Sequence, residues 1–346
     1  MYVLGMKIGE LGEFGLIERI ATLLAPCSKD VVVGVGDDVA VVDAGGDEYL
    51  LLTCDIQVER IHFLPSASPH QLGRKAAAVN LSDVGAKGGK PLHFLVSLAL
   101  RADTPVEWVD EFYKGLAEEA SRYGADIIGG NLSRIQGPQV IDLFLMGKVK
   151  KDRLLLRRGA KPGDLVLVTG QLGEARGGLF LLTRKDLKEK MDPQKAQTLI
   201  KAQETPTPRL KEGQIIAESG KATAMLDISD GLAQDLLHIC RASRVGMRIM
   251  AERIPFSCAL EDLAQLIKIP PWRLALMGGE DYELCFTASA REAEKLAEEV
   301  RGSTGTPVSI IGEVLPQEEG HWLVTPQGEE VPLSSEGWNH FKEAKI

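Results

Sequence analysis

The chain has 346 residues, enough for two domains with a core each. Charged residues make up 26 % and hydrophobic residues 44 %, the balance of a soluble globular enzyme. The net charge of −9 comes without a basic stripe, which argues against a nucleic-acid partner but not against a small phosphate ligand. Cys27, Cys54, Cys240, Cys258 and Cys285 are dispersed with no CxxC spacing, as expected of reduced thiols in the cytoplasm and not of a disulfide frame or zinc site. The N-terminus has no basic-then-apolar signal pattern, and no uncharged apolar run reaches spanning length, so no membrane is expected as a partner.

In chain order, residues 31–43 and 48–56 read as short strands interrupted by Gly-Asp turns. Residues 70–87 read as a helix stopped by Gly88-Gly89, 93–100 as a strand, and 106–123 as an amphipathic helix with Trp108, Phe112, Leu116 and Ala120 on one face. Strands at 125–128 and 140–149 complete an α+β first domain, residues 1–150. The basic stretch 150–164, with a turn at Pro162-Gly163-Asp164, is the expected boundary to a second domain at 151–346. That domain is expected to carry strands at 165–169, 246–250, 283–287, 308–313 and 321–325. Its helices are expected near 173–184, 194–202, 208–219 and 290–301, with a further one starting after Asp230.

The most informative stretch is Leu226-Asp227-Ile228-Ser229-Asp230-Gly231-Leu232, where a short apolar run gives way to a helix. Two carboxylates at such a turn suit magnesium, which takes oxygen ligands and bridges to phosphates. Alone, Asp230 reads better as a helix N-cap. Further acidic or glycine turns accompany it: Gly36-Asp37-Asp38, Thr53-Cys54-Asp55, Asn80-Leu81-Ser82-Asp83, Gly129-Gly130-Asn131 and Gly278-Gly279-Glu280-Asp281. Each has a plain structural reading: turn chemistry, a strand end, a surface pair between Asp83 and Lys87, a glycine turn. Arg153, Arg157 and Arg158 follow the boundary, where one could reach the cleft, although a solvated linker accounts equally for Arg157 and Arg158. Together, with no GxxxxGK[ST] loop and no nucleophile-plus-base pair, they point to magnesium ions holding a polyphosphate and to phosphoryl transfer by positioning.

These motifs resemble the thiamine-monophosphate kinase family, in the superfamily typified by aminoimidazole ribonucleotide synthetase. The resemblance runs nearly end to end. It is carried by Gly12-Glu13-Phe14, residues 34–42, Thr53-Cys54-Asp55, Ile61-His62-Phe63-Leu64, residues 78–89, Arg153, residues 158–164 and 168–175, Pro206-Thr207-Pro208-Arg209, residues 226–232 and 278–286, and Gly337-Trp338-Asn339-His340-Phe341. It implies a two-domain aminoimidazole ribonucleotide synthetase-like fold. The N-terminal sheet would pair across a homodimer, and a C-terminal α/β domain would close over the nucleotide. It implies ATP-dependent phosphorylation of thiamine monophosphate to thiamine diphosphate, with magnesium. By position, Asp38, Thr53, Asp55, Asp83, Asp227 and Asp230 match the family's magnesium ligands, with Asp227 and Asp230 catalytic. Asp38, Gly130, Asn131, Arg153 and Ser229 match its ATP contacts, and His62, Glu280 and Trp338 its thiamine phosphate contacts.

Two positions depart from that pattern. Asn131-Leu132 stands where the family has Asp-Thr, which removes one negative charge, and Cys54 replaces a hydroxyl residue. A nucleotide-binding scaffold without turnover is therefore the competing reading outside enzymes. Within the superfamily, selenophosphate synthetase would need a reactive cysteine or selenocysteine in a glycine-rich N-terminal segment. A hydrogenase-maturation dehydratase would need a C-terminal cysteine, and this chain ends Glu343-Ala344-Lys345-Ile346. Aminoimidazole ribonucleotide synthetase lacks the 278–284 pattern.

Overall fold

The computed structural model describes residues 7–24 and 28–334. Its first sheet has six strands: β1 (Val31–Val33), β2 (Ala40–Val42), β3 (Glu48–Val58), β4 (Lys90–Leu100), β5 (Asp126–Arg134) and β6 (Val140–Lys150), in the order β1-β2-β3-β6-β4-β5. Neighbours are antiparallel except β4 and β5. Alternation sorts the residues between faces: on β3, Leu51, Thr53 and Gln57 are buried while Cys54 and Ile56 are exposed. The buried face packs on α2 (Pro69–Ala86) and α3 (Val106–Arg122), with Phe94, Val96, Phe112, Leu116, Leu143 and Leu145 in the core. Each such side chain contributes about 1.5–3 kcal/mol when fully buried. The two helices cross closely because a Cβ at Gly73 would lie 2.0 Å from the Phe112 carbonyl oxygen, and one at Gly115 1.9 Å from that of His70. A helix not expected from the sequence, α1 (Ile8–Leu23), precedes the sheet and reaches the second half of the chain through Phe14, whose ring meets His238 edge-on at 4.9 Å.

The second sheet has seven strands: β7 (Asp164–Thr169), β8 (Ala222–Asp227), β9 (Gly246–Met250), β10 (Leu284–Ser289), β11 (Val308–Leu315), β12 (His321–Val324) and β13 (Glu330–Pro332). The order is β13-β12-β9-β11-β7-β10-β8, and only β9 and β12 run parallel. Helices cover both faces. On one face lie α4 (Glu174–Thr183), α5 (Lys185–Lys188), α6 (Pro193–Glu204), α8 (Leu232–Ser243), α9 (Cys258–Ile267) and α10 (Pro271–Met277); on the other, α7 (Leu210–Ser219) and α11 (Ala293–Thr304). Helices α9 and α10 are not among the elements expected from the sequence.

The halves meet where α2 crosses α7 and the end of β8. A Cβ at Gly213 would sit 2.0 Å from the Gly85 carbonyl oxygen, so glycines on both helices permit the approach. The crossing sets the C-terminal turns of α2 against Asp227, and polar side chains from both halves converge there.

Candidate active site

Asp227 ends β8, 3 % exposed, and its Oδ2 accepts the Ser82 hydroxyl of α2 at 2.6 Å. One residue on, Asp83 accepts the Thr53 hydroxyl of β3 at 2.5 Å. Asp55, two residues along on the same face of β3, and Asp230 beyond β8 belong to the same cluster, since the Asp55 carboxylate raises the proton affinity of Asp83, Asp227 and Asp230. Asp230 is no helix cap: α8 is capped by Gly231 with φ 115°, whose amide donates to Asp235 Oδ2 at 3.1 Å. Asp235 and His238 of α8 lie with Asp230, one ligand-type atom from each falling within 4.8 Å of the others. Asp38 is fully enclosed by cations. Lys87, 0 % exposed, approaches Asp37 and Asp38 at 2.6 Å each, and Arg157 donates to Asp38 through Nε at 2.6 Å and Nη2 at 2.5 Å.

The loop from Gly278 to Glu283 zips onto this turn. Glu280 N–H donates to Ser229 O at 2.7 Å, Tyr282 N–H to Ile228 O at 2.8 Å, and Ile228 N–H to Glu283 O at 2.7 Å. Glu280 and Tyr282 consequently sit at φ 66° and 50°, left-handed values costing about 1–3 kcal/mol each and tolerated where surrounding structure fixes them. Arg209 holds Glu283 through two bonds of 2.7 and 2.6 Å, and the Thr169 hydroxyl adds a third at 2.6 Å. The Asp281 carboxylate receives the Gly173 amide at 2.8 Å at the start of α4. Beside the loop is a cavity of about 370 Å³, within the range of small-molecule sites, lined by His62, Lys75, Arg176, Phe180, Gln203 and Glu280 among others. In it Lys75 Nζ lies 2.7 Å from Glu280 Oε1, and Gln203 donates to Glu280 Oε2 at 2.6 Å. His62 Nδ1 accepts the Val58 amide at 2.9 Å, which makes Nε2 its N–H.

The two halves match the N-terminal and C-terminal domains of the AIR synthase related proteins over residues 36–149 and 161–323. The chain is 38 % identical to the thiamine-monophosphate kinase of Escherichia coli (strain K12) over 331 residues, covering 95 % of this chain and 98 % of that one. It is also 38 % identical to that of Aquifex aeolicus over 336 residues, covering 97 % and 100 %. This chain belongs to the thiamine-monophosphate kinase family. A solved structure described as AaThiL complexed with AMPPCP and TMP superposes with a TM-score of 0.84 at 37 % identity, covering 97 % of this chain and 99 % of that one. Membership in this kinase family makes the chain an enzyme on the two-domain AIR synthase-like fold. Among the described residues no helix is long and apolar enough to cross a membrane.

Of the residues marked by the family resemblance, Thr53, Asp55, Asp83, Asp227 and Asp230 gather at one place, with Ser229 between the last two, and His62 and Glu280 share the adjoining cavity. Asp38 lies beside them but is engaged by Lys87 and Arg157. Three positions fall elsewhere. Gly129 and Gly130 do not form a turn: β5 continues through them, and a Cβ at Gly130 would lie 1.9 Å from the Val96 carbonyl oxygen, so the glycine lets strand approach strand. Asn131 pairs in register with Ser97, Ser97 with Asp142, and Asp142 with Ile56, which puts Asn131 on the face opposite Thr53 and Asp55. Arg153 forms an ion pair with Glu218 of α7, and Arg157 takes the place beside the aspartates. Trp338 lies outside the described residues. The plain structural alternative for Asp83, a surface pair with Lys87, does not form: Lys87 is buried and pairs with Asp37 and Asp38.

Clustered burial raises these carboxylates. Burial first, then Asp38, pushes Asp227 up to about 7; burial first, then Glu13, pushes Asp230 to about 7; burial holds Asp55 at about 6. Each folded value exceeds the unfolded 3.8, so the stability tied to their protons is complete below that value and lost as pH rises through the folded values. His238, which burial holds down to about 3, acts in the opposite sense, but only up to its unfolded 6.5. Metal-free protein is therefore expected to melt at a lower temperature at about pH 8 than at about pH 6.5, and millimolar magnesium to narrow the gap by replacing the lost protons. Scanning fluorimetry at both pH values checks this; a melting point that does not fall would mean that these carboxylates are not desolvated together.

Proposed function

We propose that this protein phosphorylates thiamine monophosphate to thiamine diphosphate with ATP and magnesium, by direct in-line transfer. The observation that carries the reading is the juxtaposition of Asp55, Asp83, Asp227 and Asp230, drawn from both halves, with the cavity holding His62 and Glu280. Family membership and the related structure with AMPPCP and TMP, which we read as an ATP analogue and thiamine monophosphate, support it.

Hard oxygen donors crowded until their proton affinity rises are a donor set that fits a divalent cation in place of those protons. Asp55, Asp83, Asp227 and Asp230 would hold magnesium, which when bound neutralises charge on the transferring phosphoryl group. The chain's own part is positioning. Ser82 and Thr53 fix the rotamers of Asp227 and Asp83, the loop around Glu280 ties the cavity to the Asp230 turn, and Lys75 with Gln203 fixes Glu280. No covalent enzyme intermediate is needed.

We assign residues 1–150 to the ATP- and magnesium-binding, dimerising domain and 151–346 to the domain closing the site, in a cytoplasmic homodimer. The first sheet's outer face supports dimerisation, with Ile56 54 % and Leu95 40 % exposed, and so does its open edge, where Leu132 of β5, on the other face, is 69 % exposed. Pairing there places Asn131 at the interface and not beside its own chain's aspartates. The deciding experiment is chromatographic detection of thiamine diphosphate and stoichiometric ADP from purified protein with ATP, magnesium and thiamine monophosphate. The scaffold reading, which rests on Asn131, predicts ATP binding with no product.

A further inference from the structure

We propose that Arg176 is the counter-charge for the phosphate of the acceptor and makes the cavity select a phosphorylated over an unphosphorylated thiamine; this rests on the substrate reading above. Arg176 lies in the first turns of α4 and lines the cavity. Its neighbour Lys75 is already neutralised by Glu280 at 2.7 Å, whereas Arg176 meets no carboxylate within ion-pair distance among the described residues. Instead its guanidinium lies over the Phe180 ring, 5.1 Å from the centroid. Burial acts on it with nothing offsetting it, and its proton affinity is lowered accordingly.

A partly desolvated guanidinium without a partner is costly, and the cost is removed by an anion entering the cavity. The aromatic face beneath holds the planar fork in place, and such a fork matches two oxygens of a phosphate. Its location suits the acceptor phosphate. A Cβ built on Gly278 would lie 2.9 Å from the Arg176 Cβ, and two residues on Glu280 bonds to Ser229, next to Asp230. Arg176 therefore stands on the cavity wall beside the loop that ties Glu280 to the Asp230 turn. A ligand lacking the phosphate leaves the guanidinium unpaired, a strong basis for rejection.

The test uses Arg176→Met, which keeps the stem and loses the charge, and Arg176→Lys, which keeps the charge. Steady-state kinetics are combined with calorimetric titration of thiamine monophosphate and of thiamine, and melting curves verify folding. Arg176→Met is expected to raise KM for thiamine monophosphate at least about tenfold with KM for ATP within about twofold, and to reduce the preference for phosphorylated ligand by a similar factor. Arg176→Lys, which keeps the charge but not the planar fork, should recover part of the loss. An active wild type with Arg176→Met unchanged, or with both KM values raised alike, overturns the inference while the reaction stands. A loss in Arg60→Met in place of Arg176→Met, moving the phosphate to the other arginine that lines the cavity, overturns it too. If the wild type forms no thiamine diphosphate, the reaction falls and calorimetry still decides: an Arg176-dependent preference for the phosphorylated ligand upholds the inference, and its absence ends it.

Discussion

Asp230→Asn is expected to lower kcat at least about a hundredfold and to raise the melting temperature of the metal-free protein. The first effect follows from the role of a metal-held charge in phosphoryl transfer, where a carboxamide is a weaker ligand and adds no negative charge. The second follows from electrostatics. Asp230 is pushed to about 7 by burial and then by Glu13, with Asp55 and Asp38 adding to it, so its ionised form is repelled in the folded chain. Removing that charge relieves the repulsion, the usual conflict between an active site's chemistry and the stability of the fold holding it. Melting curves without metal and single-turnover assays with saturating magnesium and ATP check both. Near-native turnover would remove Asp230 from the metal set; an inactive variant that melts lower would show that it has a structural partner.

Lys87→Met is expected to destabilise the protein by about 3–5 kcal/mol, the cost of leaving buried charges without their partner. The ammonium is fully buried, touches Asp37 and Asp38 at 2.6 Å each, and donates to Met225 O at 3.1 Å on β8, so it ties the first half's acidic turn to the second half's strand. Arg157 would remain as the cation against two carboxylates. Substituting Asp37→Asn in the same chain removes one of the stranded charges and should recover part of the loss, as measured by urea unfolding. A Lys87→Met protein as stable as wild type would mean that Arg157 alone neutralises the pair.

The acidic motifs and most of the elements were legible in the sequence alone. The carboxylates of Asp55 in a strand, Asp83 in a helix and Asp227 and Asp230 at a turn, with no P-loop, are local patterns whose chemistry does not depend on knowing what they pack against. Strand alternation and helical periodicity likewise placed β3, α2, α3 and the turn before α8, because burial on one face writes a period into the sequence. The short helix α10 was not legible, since seven residues carry too few turns to show a period, and α9 was not marked although it is as long as α4 and α7. Only tertiary structure decided the rest. Whether Gly129-Gly130 is a turn or a strand depended on the Val96 backbone passing beside it, and the face taken by Asn131 on a register running across three other strands. Whether Arg153 or Arg157 enters the site depended on which acids the crossing of α2 and α7 placed nearby: Glu218 for one, Asp38 for the other. Such choices are fixed by contacts between residues far apart in the chain, and a linear pattern holds no record of them.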